Sequence, residues 1–257
     1  MKSNTMEEKS KYFDYYFYGE FGKKEITDFV DTQERDLEKI LGFLNVDDLR
    51  ARFSYKVYPD LEKKREADPY HSGSYACARV GEKTIYRVLG EDMQNPSFPH
   101  EIVHLVMHEI SPTYNWEVEL DTFDGKKQKE VIPMDSISYL QEGMALLIDE
   151  IVFENKLREA GEYRYLDEWV HHNEGKHNIK TKNQIDFYEF CAQNPLYGTP
   201  MCGSFCMYLV KKYGLDKFME LYKKTSELFK KEKNILIIES NYGKTLNELE
   251  SEWLKSI

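Results

Sequence analysis

Residues 99–107 read Pro-His-Glu-Ile-Val-His-Leu-Val-Met, and the pattern of the chain changes there. Before them, apolar residues alternate over short runs, as in strands with one buried face. After them, apolar residues recur every three or four positions, as in helices. Upstream, residues 12–18 are dense in aromatics and predict a strand, and Ile26, Phe29, Val30, Leu37, Ile40, Leu41 and Leu44 follow with helical periodicity. Phe53, Tyr55 and Val57 alternate with polar neighbours ahead of Pro59, while residues 75–80 and 84–89 flank Gly81-Glu82-Lys83 as the arms of a hairpin would. Downstream, helices are predicted over about 100–109 and about 136–157, with several more towards the C-terminus. The expected fold is α+β: a small mixed or antiparallel N-terminal sheet packed on the helix that carries residues 100–104, then a mostly helical C-terminal lobe.

Local signals support these boundaries. Pro99 suits the first turn of a helix, where its missing N–H costs nothing, and Asp135 or Ser136 can cap the next helix through a side-chain oxygen. Pro112 and the polar stretch 121–129 predict an exposed loop between the two helices, and Gly214 is a natural helix stop. No repeat, low-complexity tract or long Pro/Gly/Ser linker separates independent domains. Residues 1–257 are therefore expected to form one domain, with lobes of about 10–92 and 93–257.

Composition narrows the function. An apolar share of 41% and a charged share of 32% are those of a soluble globular chain, and no run reaches the ~18 apolar residues of a membrane span. A net charge of -11 argues against a nucleic-acid partner, whose phosphates are bound by displacing counterions with Lys and Arg. Met1 to Ser10 is polar and lacks a signal sequence's apolar segment, so a cytoplasmic location is expected. Cys77, Cys191, Cys202 and Cys206 form no CxxC pair and predict reduced thiols, with Cys202 and Cys206 on one buried helix face.

The chemistry lies in His100-Glu101-Ile102-Val103-His104. On a helix, positions i and i+4 are ~40° apart around the axis with ~6 Å of rise, so both imidazoles face one point and can ligate a single zinc ion. Glu101 lies off that direction, where its carboxylate can reach the metal's water and act as general base. A catalytic zinc usually takes a third protein donor and leaves one position open. Glu142, within Tyr139-Leu140-Gln141-Glu142-Gly143-Met144-Ala145, is the candidate, since its small neighbours Gly143 and Ala145 permit close approach of another helix. His108 sits ~12 Å along the axis from His100 and is expected in a packing or supporting role instead.

These two segments resemble the gluzincin metallopeptidases, and more narrowly the compact peptidase MA-like domains. His-Glu-Ile-Val-His at 100–104 with Leu-Gln-Glu-Gly-Met-Ala at 140–145 is similar to that family's pairing of a zinc-binding helix with a glutamate-bearing helix. The resemblance implies a minimal thermolysin-like architecture and peptide hydrolysis with one Zn2+ ion held by His100, His104 and Glu142. Glu101 would accept the water's proton and return it to the leaving amine. The chain departs from thermolysin-like relatives at Leu146, where they carry an acidic residue that orients a histidine; Asp149 is the nearest substitute.

The oxyanion of such a reaction needs a further donor, and Tyr197, just ahead of the helix containing Gly203, is the nominee among 19 tyrosines. The expected substrate is a peptide or unfolded protein, which could add as a strand to residues 84–89 if these border the cleft. A zinc-binding but non-catalytic peptide- or protein-interaction domain on the same fold is the alternative, against which the intact Glu101 argues.

Overall fold

The structure is a computed structural model that describes residues 5–47, 49–68, 74–90, 99–111, 114–121, 127–134, 138–159, 162–177, 198–225 and 231–257. The backbone divides into two compact units: Met1–Ile110 with Asn115–Pro133, and Ser111–Tyr114 with Met134–Ile257. The fold class is α+β, as expected.

The first unit is built on a five-stranded mixed sheet in the order β1-β2-β3-β5-β4. Its strands are β1 (Thr5–Lys9), β2 (Phe13–Tyr18), β3 (Phe53–Tyr58), β4 (Ala76–Arg79) and β5 (Thr84–Val88). The three central strands run parallel, and the two outer ones pair antiparallel with their neighbours. Helix α1 (Lys23–Leu44) makes the crossover from β2 to the parallel β3. Its first turn is closed by the Gly22 N–H donating to Glu25 Oε2 at 2.6 Å. Its last turn ends at Asn45, with φ 55°.

Alternation sends Phe13, Tyr15 and Phe17 to one face of the sheet, level with Phe53, Tyr55 and Val57 across the ladder. Tyr15 stacks on Tyr55 at 5.5 Å, and Phe29 of α1 meets both rings edge-on. The hydroxyl of Tyr55 donates to Gln33 Oε1 at 2.8 Å, so the polar end of this buried ring is satisfied. Helix α3 (Pro99–Ile110) packs against α1, β4 and β5, burying Ile102, Val103, Leu105, Val106 and Met107. On the opposite face, Lys64 of α2 (Leu61–Ala67), Cys77 and Arg79 converge on the fully buried carboxylate of Asp68. The turn between β4 and β5 is the expected hairpin, with Lys83 at φ 52°.

The second unit is mainly helical. It contains α4 (Ser138–Phe153), α5 (Leu166–His177), α6 (Gly198–Tyr213), α7 (Leu215–Thr225), α8 (Lys231–Tyr242) and α9 (Leu246–Leu254), with the short pair β8 (Leu157–Glu159) and β9 (Glu162–Arg164). Helices α4 and α6 lie against each other through glycines. A Cβ placed on Gly143 would collide with Cys206 Sγ and stand 2.8 Å from the Cys202 carbonyl oxygen, and one on Gly203 would stand 2.9 Å from Leu146 Cβ. Trp253 Nε1 donates to the buried Ser204 Oγ at 2.9 Å, and that hydroxyl donates to Asp167 at 2.6 Å, fastening α9 and α5 to α6. Gly214, at φ +89°, ends α6 as expected.

Several elements differ from the sequence reading. Strand β1 and helix α2 were not expected, and β6 (Tyr114–Asp121) and β7 (Lys127–Met134) pair as a two-stranded sheet across much of the region expected as a loop. The capping positions 135 and 136 and Pro112 lie outside the described residues. Among the described residues, no helix is long and apolar enough to cross a membrane.

Candidate metal centre

Helix α3 buries its apolar stripe against the sheet, which leaves His100, Glu101 and His104 partly buried along one flank. His100 and His104, one turn apart, stand with ring centroids 4.9 Å apart at 80° and bring their Nε2 atoms to 3.2 Å. Two donors ~2.1 Å from a tetrahedral zinc ion are roughly 3.4 Å apart, so the pair is set at coordination spacing. Each of His100, His104 and Glu142 offers a ligand atom, and these atoms lie within 4.8 Å of one another. The group can hold a metal ion. It is the one such group of three or more among the described residues.

Glu101 is not part of that group. Its Oε2 accepts the main-chain N–H of Ala78 on β4 at 2.7 Å, which uses one carboxylate oxygen and leaves the other for a further partner. His108 also stands outside the group, and its Nδ1 is buried without a hydrogen-bond partner among the described residues. Leu146 packs at Gly203 of α6, so this position serves the contact between the two helices.

Tyr197 and His71 lie outside the described residues, while His171 and His172 are exposed on α5. The expectation that a peptide could add to residues 84–89 is overturned by the topology. Strand β5 is interior, paired with β3 on one side and β4 on the other, so its main-chain groups are committed to the sheet. The outer strand on that side is β4, where the Ala76 N–H already meets Ser74 Oγ and the Ala78 N–H meets Glu101.

No family model matches the chain, and none of the curated proteins matches it. The chemistry is therefore read from the residues alone. Burial pushes the Cys77 and Cys206 thiols up, so neither is an activated nucleophile near neutral pH. Sequence reasoning missed the Ala78 N–H, for which no side chain gives a signal. Only the phase of a sheet-edge strand indicates it.

Proposed function

We propose that this chain is a zinc-dependent peptidase of the gluzincin type, acting on peptides or partly unfolded protein. One Zn2+ ion would be held by His100, His104 and Glu142, with Glu101 as proton acceptor. The observation that carries the reading is the 3.2 Å approach of the two imidazole Nε2 atoms, with a Glu142 ligand atom within 4.8 Å. Two nitrogens and one carboxylate oxygen form a donor set that suits zinc and leaves a fourth position open.

Bound zinc supplies Lewis acidity and lowers the pKa of a coordinated water towards ~7. Glu101 follows His100 on the same helix but lies outside the ligand group, so its carboxylate is available to take a proton and pass it to the departing amine. Cys77, Cys202 and Cys206 are buried and in no disulfide, which suits the reducing cytoplasm.

The test is metal analysis of the purified chain with peptide-library digestion read by mass spectrometry. Stoichiometric zinc and cleavage are expected. Glu101→Gln should keep the metal and lose hydrolysis, and Glu142→Ala should bind zinc far more weakly. A chain that takes up no zinc on reconstitution, or a Glu101→Gln variant as active as the parent, would defeat the reading.

A further inference from the structure

Among the described residues, strand β4 pairs on one side only, with β5, in the register Ala76↔Arg87, Cys77↔Tyr86, Ala78↔Ile85 and Arg79↔Thr84. The Val88 N–H donates to the Tyr75 carbonyl at 2.8 Å, which sets the phase of the ladder. Hydrogen-bonded pairs in an antiparallel ladder recur at every second residue, so Cys77 and Arg79 bond inward to β5. The main-chain groups of Ala76 and Ala78 therefore point away from the sheet. An outward N–H on an edge strand ordinarily meets water. That of Ala78 donates to Glu101 Oε2 at 2.7 Å, at the short end of the range for an N–H bonded to a carboxylate.

We propose that the main-chain N–H of Ala78 is the positioning group for Glu101. It holds one carboxylate oxygen against the sheet edge, so the other is presented in a fixed direction to the water whose proton it takes. A glutamate on the first turn of a helix has three rotatable side-chain bonds, and a single strong bond to a rigid strand removes most of that freedom. The inference rests on the reading of Glu101 as proton acceptor. The donor belongs to the backbone, not to a side chain. A donor of this kind survives ordinary substitutions at position 78 and is lost only when the N–H itself is removed.

Proline removes it. On an edge strand whose N–H faces outward, proline leaves the bonds to the neighbouring strand in place, so Ala78→Pro spares the inward bonds of Cys77 and Arg79. Ala76→Pro is the matched control: the same ring on the same edge, at an N–H that meets Ser74 Oγ at 3.3 Å and not Glu101. Zinc affinity, kcat and KM would be measured on the full zinc-loaded chain.

Ala78→Pro should lower kcat roughly ten- to a hundredfold, the usual worth of a hydrogen bond to a charged group, with zinc affinity and KM held. Ala76→Pro should stay near the parent. Full kcat in Ala78→Pro, or equal losses in both variants, would overturn the proposal. Should the proline variant not fold, the Ala78 amide proton supplies the answer by NMR of 15N-alanine-labelled protein. Its resonance should move upfield and its solvent exchange should quicken in Glu101→Ala, whereas an unmoved resonance would overturn the assignment. Failure of the peptidase reading looks different: the parent would then take up no zinc or cleave no peptide, or Glu101→Gln would cleave as fast as the parent, whatever happens at position 78.

Discussion

Replacing Gly143 with alanine sets two effects of opposite sign against each other. Alanine in a helix interior is favoured over glycine by about 1 kcal/mol, so propensity alone makes Gly143→Ala stabilising. The packing of α4 on α6 says otherwise. The added Cβ would collide with Cys206 Sγ and stand 2.8 Å from the Cys202 carbonyl oxygen, a backbone atom that no rotamer change can move. Helix α4 must then shift by several tenths of an ångström, and overpacking of this kind costs about 1–3 kcal/mol. The added contact outweighs propensity, for a net loss of up to about 2 kcal/mol, or up to roughly 8 °C in Tm for a chain of this size. Thermal unfolding of the metal-free protein measures it, and Gly143→Ala/Cys206→Ala should recover part of the loss relative to Cys206→Ala alone. A Gly143→Ala variant that melts at or above the parent would refute the packing argument. Metal affinity should fall as well, because Glu142 precedes Gly143 and coordination tolerates displacements of only ~0.2 Å.

Three further outcomes follow from contacts within each unit. Asp68→Ala removes the buried carboxylate on which Lys64, Cys77 and Arg79 converge, and should cost about 3 kcal/mol or more in urea unfolding. Trp253→Phe keeps a ring but deletes the bond to buried Ser204, so a loss of about 1 kcal/mol is expected, and an unchanged urea midpoint would show that this bond does not fasten α9. Glu252 is held down to about 2 by hydrogen bonds from Lys212, Lys244 and Tyr208. A carboxyl depressed on folding stabilises above its unfolded value of ~4.3 and loses that contribution as pH falls towards 2. The Tm gap between the parent and Glu252→Gln should accordingly be full above about pH 5 and close between about pH 4 and 2; a gap independent of pH would contradict this.

The elements legible in the sequence were those that bury a face. Strands β2 and β3 show it in the alternation of Phe13, Tyr15 and Phe17 and of Phe53, Tyr55 and Val57, and α1 shows it in Ile26, Phe29, Leu37, Ile40, Leu41 and Leu44, all buried. Strand β1 gives no such signal: Thr5, Glu7, Glu8 and Lys9 are exposed, so its sequence reads as a polar tail although its backbone pairs with β2. Helix α2 is only seven residues long and is announced chiefly by its cap, the Asp60 side chain accepting the Lys63 N–H at 2.8 Å. In the polar stretch 121–129, Asp121, Gly125 and the lysines outweigh the strand-forming residues on either side, so the sequence predicts a loop where β6 and β7 pair as strands. For the candidate centre, the i and i+4 spacing of His100 and His104 was enough, because helix geometry brings their Nε2 atoms together.

A third ligand cannot be read from that periodicity. One helix offers a second donor a turn away from the first, but a third, at His108, is ~12 Å from His100 along the axis and has left the coordination sphere. The remaining donor must come from another element, and its position is then set by what holds that element. For Glu142 the holding contact is backbone-close, Gly143 seated on Cys202 and Cys206 of α6. For Glu101 it is the N–H of Ala78. Neither device appears in a list of ligating side chains, and each should respond to a change that touches no metal-binding or proton-carrying group. If the centre works as proposed, Gly143→Ala should weaken metal binding, while Ala78→Pro should slow turnover with the metal still held. A centre that depended only on its His, His and Glu side chains would show neither effect.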